Sequence, residues 1–282
     1  MKAVGHIGRR AAFTLVELLV VVGIIALLAA LLLPVMGTAQ RRAATVRCIN
    51  NFKQLQTAWH LYELDHQELP PNNDQPDAGK NAQRPSWVAG WLRLDNERGD
   101  KRDSVDPELL VGEAYRPFGS IGPYTRSATL YKCTRDRSTV RIDGADLPRT
   151  RTVAMNAYMN GSGVWQDTNY VTFRRSAQIP NPAEMWVFIE EREDSINDGY
   201  FAVAVAARYA IIDTPANYHD NAAVLSFADG HVDKKKWLEP TTTPPLRPGV
   251  HLSGVPFYTP PTDRDMRWLV ERTTVPAQKN SP

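Results

Sequence analysis

From Phe13 to Leu33 the chain runs through 21 residues of which only Thr14 and Glu17 are appreciably polar. A helix of that length spans about 30 Å, the thickness of a bilayer's hydrocarbon core. No ordinary soluble core accommodates such a run, so everything after it must fold while tethered to it. The run is too long for a cleaved secretory segment, whose apolar part is usually about 7–15 residues. No small-residue cleavage site follows it, because Pro34-Val35-Met36-Gly37 leads straight into a polar helix. Small residues, Ala11 and Ala12, instead precede it, directly after Arg9 and Arg10. An ionised carboxylate in hydrocarbon costs about 2.5–3.5 kcal/mol or more, so Glu17 is a functional candidate that needs a partner.

Charge sets the orientation and removes one class of partner. Lys2, Arg9 and Arg10 account for three of the 33 basic residues, so residues 13–282 carry 30 against 31 acidic ones. A near-neutral chain offers no electrostatic case for nucleic-acid binding. The basic leader belongs on the cytoplasmic side, which puts the residues after Pro34 outside the inner membrane.

The order of basic leader, small residue, Phe13-Thr14-Leu15-Val16-Glu17 and long apolar helix resembles the N-terminal signal of type IV prepilins and type II secretion pseudopilins. The resemblance implies that prepilin peptidase cuts between Ala12 and Phe13 and methylates the new amine of Phe13. It implies that Glu17 meets the N-terminal amine of a neighbouring subunit during assembly, and that Pro34 bends or locally melts the helix. The family prefers Gly before the cut, where this chain has Ala12; slow or absent processing is the alternative that this departure leaves open. The bland alternative to the whole reading is a single-pass anchor that happens to contain a glutamate.

Beyond Pro34, Val46, Ile49, Phe52, Leu55, Trp59 and Tyr62 recur at intervals of three and four, the apolar face of an amphipathic helix, with Arg41, Arg42, Lys53 and Gln56 on other faces. Leu69-Pro70-Pro71 ends it. Residues 74–106 read as a loop with one short strand, and Pro107 to Leu110 as a helical turn. Residues 152–159 alternate as a half-buried strand, 185–191 read as a central strand, 222–228 as another, and 263–272 as a short helix with Trp268 and Leu269 docking. The expected fold class is α+β, pilin-like: a long N-terminal helix, half transmembrane and half amphipathic, packed on a mainly antiparallel β-sheet head. The expected organisation is a leader at 1–12, a membrane and assembly helix at 13–35, its amphipathic continuation at 36–66, a β-rich head at 67–239 and a Pro-rich surface tail with a short helix at 240–282.

His219, nine further residues, and then Asp229-Gly230 fit the H-X9-DG signature of a prepilin-like family, in the context Tyr-His-Asp-Asn-Ala-Ala to Phe-Ala-Asp-Gly-His-Val. Read from the residues, Asp229-Gly230 is a two-residue type I′ hairpin turn in which both residues take positive φ and Ala228 faces His231. The competing reading is a Ca²⁺ site drawing on Glu190, Asp198 and Asp229, since pseudopilins of this architecture bind calcium in the head. Cys48 and Cys133 form either one disulfide, permitted outside the cytoplasm, or two separate buried thiols. No Gly-x-Ser-x-Gly elbow is present and the chain reads as a non-enzyme. Seven tryptophans give a softer alternative, a tethered carbohydrate- or Ca²⁺-binding module that never polymerises. The expected partners are prepilin peptidase and other pilin-like subunits.

Overall fold

The computed structural model describes residues 14–92, 99–206, 210–247 and 257–278. One helix, α1 (Leu15–His66), opens the chain and is helical on both sides of Pro34 and through it. The local melting implied for Pro34 is absent. Losing one N–H removes a single rung, and the strong helix formers Ala29 to Leu33 ahead of it hold the ladder. The chain falls into two units, Met1–Ala43 and Ala44–Pro282. In the first, every side chain described from Leu15 to Leu33 is exposed, an apolar surface long enough to cross a membrane.

In the second unit α1 buries Cys48, Phe52, Leu55, Ala58, Trp59 and Tyr62. Steps of three and four taken in alternation keep these residues on one face. Val46 was expected there and is 55% exposed. Three successive steps of three residues lag by about 180° at 3.6 residues per turn, which turns Val46 away from Leu55. Gln56 was expected on a polar face and is buried, because its Oε1 accepts the Ser226 hydroxyl at 2.8 Å.

Five strands, β1 (Val153–Asn156), β2 (Trp186–Glu190), β3 (Tyr200–Phe201), β4 (Ala222–Phe227) and β5 (Val232–Lys236), form one sheet in the order β5-β4-β2-β1-β3. Every pairing is antiparallel except that of β1 with β3. A long helix followed by a mainly antiparallel head makes the fold α+β. Edge strand β5 carries Lys234, Lys235 and Lys236, charges that discourage pairing with another sheet.

The central strands are buried on both faces, where half-burial was expected for residues 152–159. Val153, Met155, Val187 and Val224 pack with Phe52, Leu55 and Trp59 of α1. Ala154, Ile189 and Leu225 pack with Trp237, Met266, Leu269 and Val270 on the opposite side. The last three come from a helix at Arg264–Glu271, started by the Asp263 carboxylate, which accepts the Met266 N–H at 2.8 Å. The tail, expected to wrap the surface, thus supplies a core layer through the helix expected to dock. Leu269 is buried as expected, Met266 and Val270 join it, and Trp268 is partly buried, each large apolar side chain contributing about 1.5–3 kcal/mol. Trp59, Trp87, Trp91, Trp186 and Trp237 are core residues, so they are not stacking platforms for a sugar.

Behind the sheet lies a buried ionisable set. Arg151 donates from Nη1 to the Val153 and Asp198 carbonyls at 3.0 and 2.6 Å. Asp198 accepts the Tyr200 N–H at 2.8 Å and Asp213 accepts the Ala202 N–H at 2.7 Å. Burial, reinforced by the charge of Asp74 and opposed by that N–H, pushes the Asp213 carboxyl up to about 7. A carboxyl held protonated in the folded state stabilises it fully below the unfolded value near about 4, and that contribution disappears as pH rises through the folded value. The unfolding free energy of the detergent-solubilised chain, read from urea titrations, should therefore fall from pH 5 to pH 8, by up to about 1.4 kcal/mol per pH unit per proton. Asp213→Asn keeps an acceptor for Ala202 and should flatten that slope; an unchanged slope in the variant would show that Asp213 is not the titrating group.

Candidate functional site

The N-terminal end of α1 begins with a reciprocal cap. Glu17 N–H donates to Thr14 Oγ1 at 3.2 Å, while Glu17 Oε2 accepts the Thr14 N–H at 2.8 Å and the Thr14 hydroxyl at 2.7 Å. This is the Thr-x-x-Glu capping box, and it satisfies donors that the first helical turn leaves open. The carboxylate thus has local hydrogen-bond partners, but both are neutral, so its charge still lacks a counter-ion within the described residues. The spacing of Thr14 and Glu17 just before an apolar run is the sequence signal for this cap, and reading Glu17 only as a membrane carboxylate missed it. Ala12 and Phe13, the expected cleavage and methylation positions, lie outside the described residues.

The H-X9-DG segment places its two ends differently from expectation. Phe227, not Ala228, faces His231: the Phe227 N–H donates to the His231 carbonyl at 2.9 Å and the two rings stack with centroids 4.2 Å apart. Ala228, Asp229 and Gly230 form a three-residue loop closed by the Gly230 N–H on the Phe227 carbonyl at 2.9 Å, with Gly230 alone in the loop at positive φ, 97°. That is a type I turn followed by a left-handed glycine, one residue longer than the type I′ turn expected. The loop is held from below, Ala228 N–H donating to the Met185 carbonyl and Asp229 N–H to that of Pro182, which fixes the longer form. Positive φ at two successive central residues occurs instead at Asp220 and Asn221, 57° and 64°, ahead of β4.

His219 is fully buried. Its Nε2 lies 3.1 Å from Glu190 Oε1 and 3.3 Å from Cys133 Sγ, and its Nδ1 lies 3.0 Å from Thr45 Oγ1. Cys133 Sγ is 3.4 Å from Cys48 Sγ, and the two are adjacent and unbonded in this structure. The hydrogen bond between the thiols brings Cys48 down to about 4 against burial and pushes Cys133 up. Burial raises Glu190; it would lower His219, but the neighbouring Cys48 and Glu190 outweigh it and lift the imidazole to about 9. Because the same ring nitrogen faces both Cys133 and Glu190, the set is no nucleophile–base–acid relay, which needs opposite nitrogens. The Ca²⁺ set is not assembled either. Glu190 belongs to this cluster, Asp198 caps Tyr200, and Asp229 sits in the exposed loop with His231 Nδ1 at 2.6 Å.

Residues 7–33 match the prokaryotic N-terminal methylation motif, and residues 39–95 match a family described as a protein of unknown function (DUF1559). The competence protein ComGC of Halalkalibacterium halodurans is 43% identical over 65 residues, 23% of this chain. The N-terminal part of this chain is similar to type IV pilin-like proteins and carries their methylation signal. The stretch in common spans 64% of the length of ComGC. No solved structure matches the chain. The stretch matched by the methylation motif covers the apolar segment that begins at the Thr14–Glu17 cap, so the cap lies within the matched motif.

Proposed function

We propose that the chain is a structural, non-catalytic subunit of a type IV pilus or type II secretion pseudopilus. Prepilin peptidase removes residues 1–12 and methylates Phe13. Residues 13–35 then store the subunit in the inner membrane, its head on the periplasmic side, until the apolar helix packs against those of identical or related subunits. The observation that carries this reading is the wholly exposed apolar surface from Leu15 to Leu33, headed by a carboxylate that has hydrogen bonds but no counter-ion among the described residues. A bilayer covers such a surface in the single subunit, and neighbouring helices cover it in a filament.

Intact-mass measurement of protein extracted from membranes tests the processing step. The expected species lacks residues 1–12 and carries one added methyl group at Phe13. A full-length species with an unmodified N-terminus would leave a plain anchor in place of a subunit.

A further inference from the structure

Four ligand-type side chains from four distant parts of the chain converge inside the head. Cys48 comes from α1, Cys133 from the turn after the 3-10 segment Ala128–Tyr131, Glu190 from the end of β2, and His219 from the turn before β4. One donor atom from each lies within 4.8 Å of all the others, and all four residues are buried. We propose that these four residues form a structural Zn²⁺ site that ties α1 to the sheet of the head.

The distances suit that ion. Zinc holds thiolates at about 2.3 Å and imidazole or carboxylate donors at about 2.0–2.2 Å, so tetrahedral edges are about 3.8 Å for S–S, about 3.6 Å for S–N and about 3.4 Å for N–O. The corresponding separations here are 3.4 Å for Cys48–Cys133, 3.3 Å for Cys133–His219 and 3.1 Å for His219–Glu190. Each of these three edges needs to open by only about 0.3–0.4 Å, and the other three are already within 4.8 Å. Two sulfurs with one imidazole and one carboxylate select zinc over Ca²⁺, which takes six or more oxygens.

The surroundings are those of a ligand set. Ligating histidines hold their other ring nitrogen against a hydrogen-bond partner, and Thr45 does this for His219 Nδ1, leaving Nε2 to face the cluster. The second oxygen of Glu190 accepts the Val224 N–H at 2.9 Å. Backbone N–H groups of Thr134 and Arg135 donate to Cys48 Sγ and Cys133 Sγ, each at 3.4 Å, which disperses negative charge on thiolates. Two thiols and a carboxyl gathered without solvent are costly to keep in any charged form unless a cation offsets them. The site would close the span from residue 48 to residue 219, and its binding energy would add to folding.

The test uses the full chain in detergent, purified under reducing conditions and titrated with Zn²⁺ alone. Elemental analysis should find one zinc per chain, X-ray absorption should show two sulfur neighbours near about 2.3 Å, and a chelator should lower the urea midpoint. Cys48→Ser and Cys133→Ser should each lose the zinc. Thr45→Val, which leaves all four donors in place, should weaken binding about 10–100-fold, a readout that does not depend on a ligand variant folding. Chain that takes up no zinc, takes it up without sulfur neighbours, or shows a mass two units low from a Cys48–Cys133 bond before reduction would overturn the site.

Discussion

Glu17→Ala is expected to leave membrane insertion intact and to remove the subunit from filaments. The alanine makes the segment more apolar, so insertion does not suffer. What it deletes is both the capping-box acceptor for Thr14 and the charge proposed to meet a neighbour's amine. Stranding one member of a buried ion pair costs about 3–5 kcal/mol, more than a hundredfold in incorporation. The two losses separate in Glu17→Gln, since glutamine serves in a capping box equally well but carries no charge. On the assembly reading Gln fails as Ala does. If Gln assembles like the wild type while Ala does not, the residue acts as a helix cap alone. If both assemble, Glu17 is needed neither as a charge nor as a cap, and its proposed pairing with a neighbour's amine fails. Quantifying sheared filaments against membrane-retained protein reads all three outcomes.

Arg151→Met should destabilise the head by about 3–5 kcal/mol, the cost of removing one partner from a buried charged set. Arg151 is fully buried, its Nη1 holds two backbone carbonyls, and burial lowers it to about 10 while the charges of Asp198 and Glu191 hold it up. Methionine matches the stem but leaves both carbonyls without that donor and the carboxyls without their cation. Against a total stability of about 5–15 kcal/mol, a loss of that size is plain in a urea titration. Adding Asp198→Asn, which keeps the acceptor for Tyr200, should recover part of it, a coupling of about 0.5–3 kcal/mol. Strict additivity of the two substitutions would show that the guanidinium and the carboxyl do not interact.

Local physics made much of this molecule legible without coordinates. The apolar run, the charge asymmetry before it and the Phe-Thr-Leu-Val-Glu order are contiguous, so reading them needed no fold. The helix at residues 264–271 and the strands at 186–190 and 222–227 follow from periodicity and composition in the same way. Where a decision depended on what lies opposite, the reading went astray. Gln56 is inside because Ser226, 170 positions later, offers it a hydroxyl. The Asp229-Gly230 turn is one residue longer than its composition suggested because Met185 and Pro182 hold its backbone. Met266 and Val270 join the expected Leu269 inside because the second face of the sheet lies opposite them.

A long lipid-length helix with a buried-charge problem at its head was thus determined by the order of residues alone, because hydrophobicity and helical period are properties of neighbours in the chain. The meeting of Cys48, Cys133, Glu190 and His219 was decided only by the tertiary structure. No spacing announces it, since the four belong to a helix, a turn, a strand end and a second turn, and only the packing of α1 on the sheet brings their donor atoms within reach of one ion.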